Sequence, residues 1–124
     1  METIVDKYYI GYEGEPEIQI IRKNVQGNTF ILRIWSGFFD DIMNAVEPGE
    51  KGWSSLAYYY NLHSGWYEES PWLMKDINAA LEQLKGIKKD KLSPSRGSIN
   101  VLIEIIKIFE DAKIFGDSVL IAYE

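Results

Sequence analysis

The chain predicts an α+β fold, an antiparallel or mixed sheet with three to four helices packed mainly on one face. Strand-like alternation fills the first third of the sequence, helical spacing dominates the remainder, and one β-rich segment returns at the C-terminus. That segregation differs from the regular alternation of parallel α/β folds. A length of 124 residues with no linker, repeat or low-complexity tract fits a single domain over residues 1–124.

The first third reads as a three-strand meander. Ile4 to Tyr12 is rich in β-branched and aromatic residues, with Ile4, Tyr8, Ile10 and Tyr12 on one face and Val5, Lys7 and Tyr9 on the other. Glu13-Gly14-Glu15-Pro16 is a turn, Glu17 to Lys23 alternates again, and Gln26-Gly27-Asn28 reverses the chain. Thr29 to Trp35 is apolar on both faces, as an interior strand must be.

Four helical stretches come next. Phe38, Phe39, Ile42, Met43 and Val46 have amphipathic spacing, and Asp40 and Asp41 fall in the first turn, where carboxylates complement the helix dipole. Trp53 to Tyr67 reads as helix or mixed structure. Ser70 and Pro71 look like an N-cap and first helical residue ahead of the Leu73, Ile77, Ala80, Leu81, Leu84 stripe, which stops at Gly86. Residues 87–97 form a basic, turn-rich connector, expected to be the most mobile internal segment. Ser98 then caps a helix from Ile99 to about Phe115, apolar enough to be buried on more than one side, and Ser118 to Tyr123 is an interior strand inserted beside the meander.

Composition narrows the function classes. The absence of cysteine removes disulfide frameworks, zinc-thiolate sites and thiol nucleophiles. The N-terminus has no secretory pattern and no span reaches about 18 apolar residues, so the chain reads as cytoplasmic and not membrane-bound. Residues 40–69 hold six acidic and one basic residue, nearly all of the net charge of −6. Such a surface repels phosphate and anionic lipid and favours a basic protein partner over nucleic acid or membrane.

No catalytic constellation is expected. His63 lies near Ser54, Ser55 and Ser64, but no nucleophile-elbow motif accompanies them. The adjacent acids Asp40-Asp41 and Glu68-Glu69 project apart in any regular element, unlike the facing carboxylates of a glycosidase. One His, no Cys and no calcium-loop pattern leave no metal site, and no phosphate-binding glycine motif supports a cofactor.

There remain residues 53–72, with three Trp, four Tyr, the sole His and Glu68-Glu69. Rigid aromatic rings concentrate binding energy at protein interfaces, and acids around them speed encounter with a basic surface. The expected contact residues are Asp40, Asp41, Glu47, Glu50, Trp53, Tyr59, Trp66, Tyr67, Glu68 and Glu69. Periodicity assigns Leu56, Tyr60 and Trp72 to the core, whereas Trp66 to Glu69, between Gly65 and Ser70, reads as a surface loop.

In size, acidity, α+β order, the Ser64-Gly65-Trp66-Tyr67-Glu68-Glu69-Ser70-Pro71-Trp72 segment and the final helix-strand pair, the chain resembles the small acidic immunity proteins of bacterial polymorphic-toxin (contact-dependent inhibition type) systems. The resemblance implies a protein that binds a cognate, basic, nuclease-like toxin domain and blocks its active site; a monomer or weak homodimer is expected. A non-enzymatic carbohydrate- or peptide-binding module is the alternative.

Overall fold

The structure, a computed structural model, describes residues 1–92 and 97–124. It is an α+β fold with one mixed five-stranded sheet. The strands β1 (Glu2–Tyr8), β2 (Glu17–Lys23), β3 (Thr29–Trp35), β4 (Trp72–Leu73) and β5 (Ser118–Tyr123) lie in the order β1-β3-β2-β5-β4. The helices are α1 (Ser36–Asn44), α2 (Ser55–Asn61), α3 (Ile77–Lys85) and α4 (Ser98–Phe115).

Strands β2 and β3 keep the boundaries expected of them and form an antiparallel hairpin. Their turn closes on itself through Asn28 N–H to Asn24 Oδ1 at 2.9 Å, with Gly27 at φ +86° where a side chain would be strained. The meander is not observed. Strand β1 pairs with β3 in parallel, on the edge away from β2. The connection over residues 9–16 accounts for this, because Tyr12 stacks flat on Trp35 at 4.4 Å and meets Phe38 edge-on, fastening the chain across the end of β3. One extra residue between Val5 and Tyr8, opposite Leu32 and Ile34, makes a bulge. It turns Tyr8 to the same face as Val5, where simple alternation separates them.

Below the sheet, Ile18, Ile20, Leu32, Ile34, Val119 and Ile121 pack against Phe39, Ile42 and Met43 of α1 and Leu102, Ile105 and Phe109 of α4. Helix α1 starts at Ser36, two residues before the expected Phe38, so Asp40 and Asp41 lie beyond its first turn and the dipole does not account for them. Helix α4 matches its expected span, but Ser98 is its first helical residue and the left-handed Gly97 precedes it. Its burial is one-sided, since Ile103, Ile114 and Phe115 stand in solvent.

The Ser70-Pro71 signal belongs to a strand. Across a cis Ser70-Pro71 bond the chain enters β4, where Trp72 and Leu73 pair with Ile121 and Leu120 of β5. Ser70 Oγ accepts the Tyr123 N–H at 2.9 Å, and the helix waits until Asp76, whose Oδ1 caps Ala79 N–H at 3.0 Å. Pairing with β5 has overridden a good local helix start. The expected mobile connector includes residues 93–96, which lie outside the described residues; before them Lys89–Lys91 forms a single 3-10 turn. Among the described residues no helix is long and apolar enough to cross a membrane.

Candidate functional site

Helix α2 is too short to hold itself together and is completed by its neighbours. Gln83 of α3 accepts the Ala57 N–H at 3.1 Å and donates to Ser54 O at 2.7 Å, a cap supplied from another helix. Leu56 and Ala57 point into the core, and Asn61 Nδ2 closes the other end on Ala57 O at 2.8 Å. His63 (φ +51°) and Gly65 (φ +70°) then turn the chain through left-handed backbone into a single 3-10 turn, Gly65–Tyr67.

That turn sends consecutive residues in different directions. Trp66 goes inward and is fully buried, edge-on to Phe39 at 5.4 Å and against Trp72 at 5.7 Å. The expectation that Trp66 belongs to a surface loop is therefore corrected: a tight turn with a buried glycine leaves its indole only the space above α1. Tyr67 is half-buried at the rim, 5.5 Å from His63, 6.4 Å from Tyr60 and 5.1 Å from Tyr123 at the end of β5. Glu68 and Glu69 are exposed, with both backbone N–H groups held by Gly65 O.

Asp40 connects this rim to α1 by accepting the Tyr60 hydroxyl at 3.0 Å. Burial raises the pKa of the Tyr60 phenol, with Asp40 reinforcing the shift by its hydrogen bond and its charge. Burial, followed by the charge of Asp40, raises that of Tyr67 as well. Both phenols are neutral at physiological pH, so they offer polar tips on apolar rings and no phenolate nucleophile.

The expected contact residues divide. Asp40 lies close enough for its charge to act on the Tyr67 phenol, and Glu68 and Glu69 follow Tyr67 in the chain as exposed residues. Asp41 is half-buried on α1. Glu47 is tied to Lys91, and the pair lines a groove of about 470 Å³ with Ser54, Glu82 and Lys88. Lys91, aided by Lys88, holds the Glu47 carboxyl below its ordinary range, so its charge is compensated within the chain. Glu50 is exposed in the loop closed by Gly49 and Gly52, and Trp53 is 39% exposed just beyond it. Tyr59 leans on Trp72 at 4.7 Å and lines a smaller hollow of about 270 Å³ with Tyr58, Met74, Lys75 and Asp76.

Two rim residues are missing from the expected set: Tyr60 and Tyr123. Periodicity assigns Tyr60 to the core, and half of that holds, since its ring packs inward while its hydroxyl reaches Asp40. Tyr123 pairs with Ile18 on the core-facing side of β5, one step past the last buried residues, so its ring emerges where the core ends. No local signal links it to Tyr67 across more than fifty residues of sequence; only the β2–β5 register does. Among the described residues no cluster of three His, Asp or Glu side chains is placed to hold a metal ion. No protein family, curated protein or solved structure gives a match to this chain.

Proposed function

We propose that the rim around Tyr67 binds a basic protein partner, and that the chain is an immunity protein that neutralises a cognate toxin domain in the cytoplasm. The observation that carries this reading is the half-buried Tyr67, held between His63 and Tyr123 and followed in the chain by the exposed Glu68 and Glu69. Those two carboxylates form no ion pair among the described residues. A ring fixed by its neighbours loses little entropy on binding, and its neutral hydroxyl finds a partner at the interface edge. Carboxylates without an internal cation steer a basic surface toward it. Occupying the phosphate groove of a nuclease needs nothing more, and no bond-making step is required of the chain.

The test begins with a pull-down from the native host and the gene immediately upstream, which identify the toxin domain. Association of that domain should be fast and should slow with salt, and Glu68→Lys with Glu69→Lys should lower the on-rate about tenfold or more. Tyr67→Ala should act on the off-rate. Unchanged association and unchanged protection with the double lysine variant would show that the interface lies elsewhere.

The hollow walled by Tyr58, Tyr59 and Trp72 favours a second reading, a carbohydrate- or peptide-binding module. It ranks lower because about 270 Å³ falls below the roughly 300–1,000 Å³ of most small-ligand sites. Tryptophan fluorescence titrated with oligosaccharides and short peptides separates the two readings, since only the second expects saturable quenching that Trp72→Phe abolishes.

A further inference from the structure

A guanidinium, a carboxylate and a tyrosine ring are combined once within this chain. Arg33 binds Glu17 with two prongs, Nε to Oε2 at 2.7 Å and Nη2 to Oε1 at 2.9 Å, while its flat head lies over the Tyr9 ring at 4.9 Å. Two other rings also take a cation from the chain: Lys7 stands over Tyr8 at 5.2 Å and Arg22 over Phe30 at 5.9 Å. The Tyr67 rim has the carboxylate and the rings without the cation. Among the described residues no cation stands over Tyr60, Tyr67 or Tyr123, and Asp40 forms no ion pair. Asp40 is half-buried, yet its one side-chain hydrogen bond among the described residues comes from the Tyr60 hydroxyl at 3.0 Å. An ionised carboxylate has room for about four.

Resting on the reading of this rim as the surface that binds a basic partner, we infer that Asp40 and Tyr67 form an arginine site: a guanidinium of the partner lies on the Tyr67 ring and donates to Asp40. Tyr60 fixes the spacing, since its ring centroid is 6.4 Å from that of Tyr67 and its hydroxyl is bonded to Asp40. After burial, the charge of Asp40 is the next cause that raises the Tyr67 phenol, so the carboxylate acts on that ring. His63 at 5.5 Å and Tyr123 at 5.1 Å, both exposed, hold the ring in place. A flat guanidinium stacks on a ring with its face while its edge reaches a carboxylate, as Arg33 does; a lysine ammonium is a compact, more strongly hydrated point charge without that second surface. The surrounding chain is poor in cations, because residues 40–69 contain six acids and a single basic residue, Lys51. Glu68 and Glu69 act at longer range, on encounter, whereas the Asp40 site acts after docking, on dissociation.

NMR of the tyrosine rings tests this, with the full chain titrated at low salt with the acetylated, amidated tripeptides Gly-Arg-Gly and Gly-Lys-Gly. The expected result is a saturable, millimolar perturbation of Tyr60 and Tyr67 by the arginine peptide, and binding of the lysine peptide weaker by about fivefold or more. Asp40→Asn should weaken arginine binding by about the same factor. Its amide oxygen still accepts the Tyr60 hydroxyl, and an unfolding midpoint near that of the parent verifies the fold. Glu2→Gln removes the same charge at the far end of the sheet from Tyr123 and should leave arginine binding unchanged. Equal binding of the two peptides, arginine binding that Asp40→Asn leaves intact, or ring signals that neither peptide moves overturns the inference. With the toxin domain in hand the two readings separate. An on-rate lowered by Glu68→Lys with Glu69→Lys, beside an off-rate untouched by Asp40→Asn, keeps the basic partner and removes the arginine site, whereas an unaltered on-rate removes the reading of the rim itself.

Discussion

The Tyr60 hydroxyl donates to Asp40 Oδ1 at 3.0 Å, joining α2 to α1 beneath the Tyr67 rim. Burial and then Asp40 disfavour the phenolate, so the folded chain holds this proton to higher pH than the unfolded chain does. The resulting stability is complete below the ordinary phenol value of about 10 and is lost as pH rises beyond it. Tyr60→Phe should cost about 1 kcal/mol near neutrality, the net worth of one hydrogen bond. Above about pH 10 its stability should fall less steeply than that of the parent. Urea midpoints of both proteins on either side of that pH decide it, and parallel curves would rule out a role for the Tyr60 proton.

On the opposite face, Arg33 grips Glu17 with Nε to Oε2 at 2.7 Å and Nη2 to Oε1 at 2.9 Å. The Arg33 hydrogen bonds hold the Glu17 carboxyl below its ordinary range, against the opposing effect of burial. A lowered carboxyl pKa contributes stability above the unfolded value, and that contribution disappears as pH falls through the folded one. Glu17→Gln should therefore cost about 1–2 kcal/mol at neutral pH. The figure stays modest because Arg33 keeps 30% of its side chain in water and can resolvate. Denaturation at acid pH, where the Glu17 carboxyl is protonated in both folded and unfolded chains, should show the two proteins converging; a gap that persists there assigns the loss to packing.

The elements legible in the sequence are those determined locally. Alternation and a Gly-containing turn place β2 and β3, and the run of aliphatics places α4 to within a residue. The illegible parts depend on distant partners. Strand β1 lies beside β3 because Tyr12 stacks on Trp35, and residues 72–73 are a strand because β5 offers an edge. The site divides the same way. Glu68 and Glu69 are exposed as their polar, turn-flanked context implies, whereas the compensation of Glu47 by Lys91 and the arrival of Tyr123 beside Tyr67 arise only on folding.

Gly65 illustrates a requirement that composition conceals. At φ +70°, a Cβ here would lie 3.3 Å from Tyr59 Cβ and 3.5 Å from Trp72 Cε2, so both backbone and packing oppose a side chain. Gly27, at φ +86° with nothing within 4 Å, meets only the backbone penalty. Gly27→Ala should cost about 1 kcal/mol, and Gly65→Ala measurably more, about 2 kcal/mol. Chemical denaturation of the pair isolates the packing contribution; equal losses would mean that Tyr59 and Trp72 shift without penalty.

Trp53 and Trp66 look alike in sequence, each in an aromatic segment beside a glycine, yet Trp66 is fully buried and Trp53 is 39% exposed. Trp66→Ala removes the ring that Phe39, Tyr67 and Trp72 all touch and should cost about 3–5 kcal/mol. That is a large share of the roughly 5–15 kcal/mol that holds a domain of this size. Trp53→Ala should change stability by no more than about 0.5 kcal/mol. The contrast determines how each is used in binding experiments. Loss of partner binding in Trp66→Ala reports on the scaffold under Tyr67, whereas loss in Trp53→Ala, with an unchanged unfolding midpoint, extends the contact surface to the residue 47–54 loop. Midpoints measured before any binding assay separate the two, and a Trp66→Ala protein as stable as its parent would contradict the burial on which the site is built.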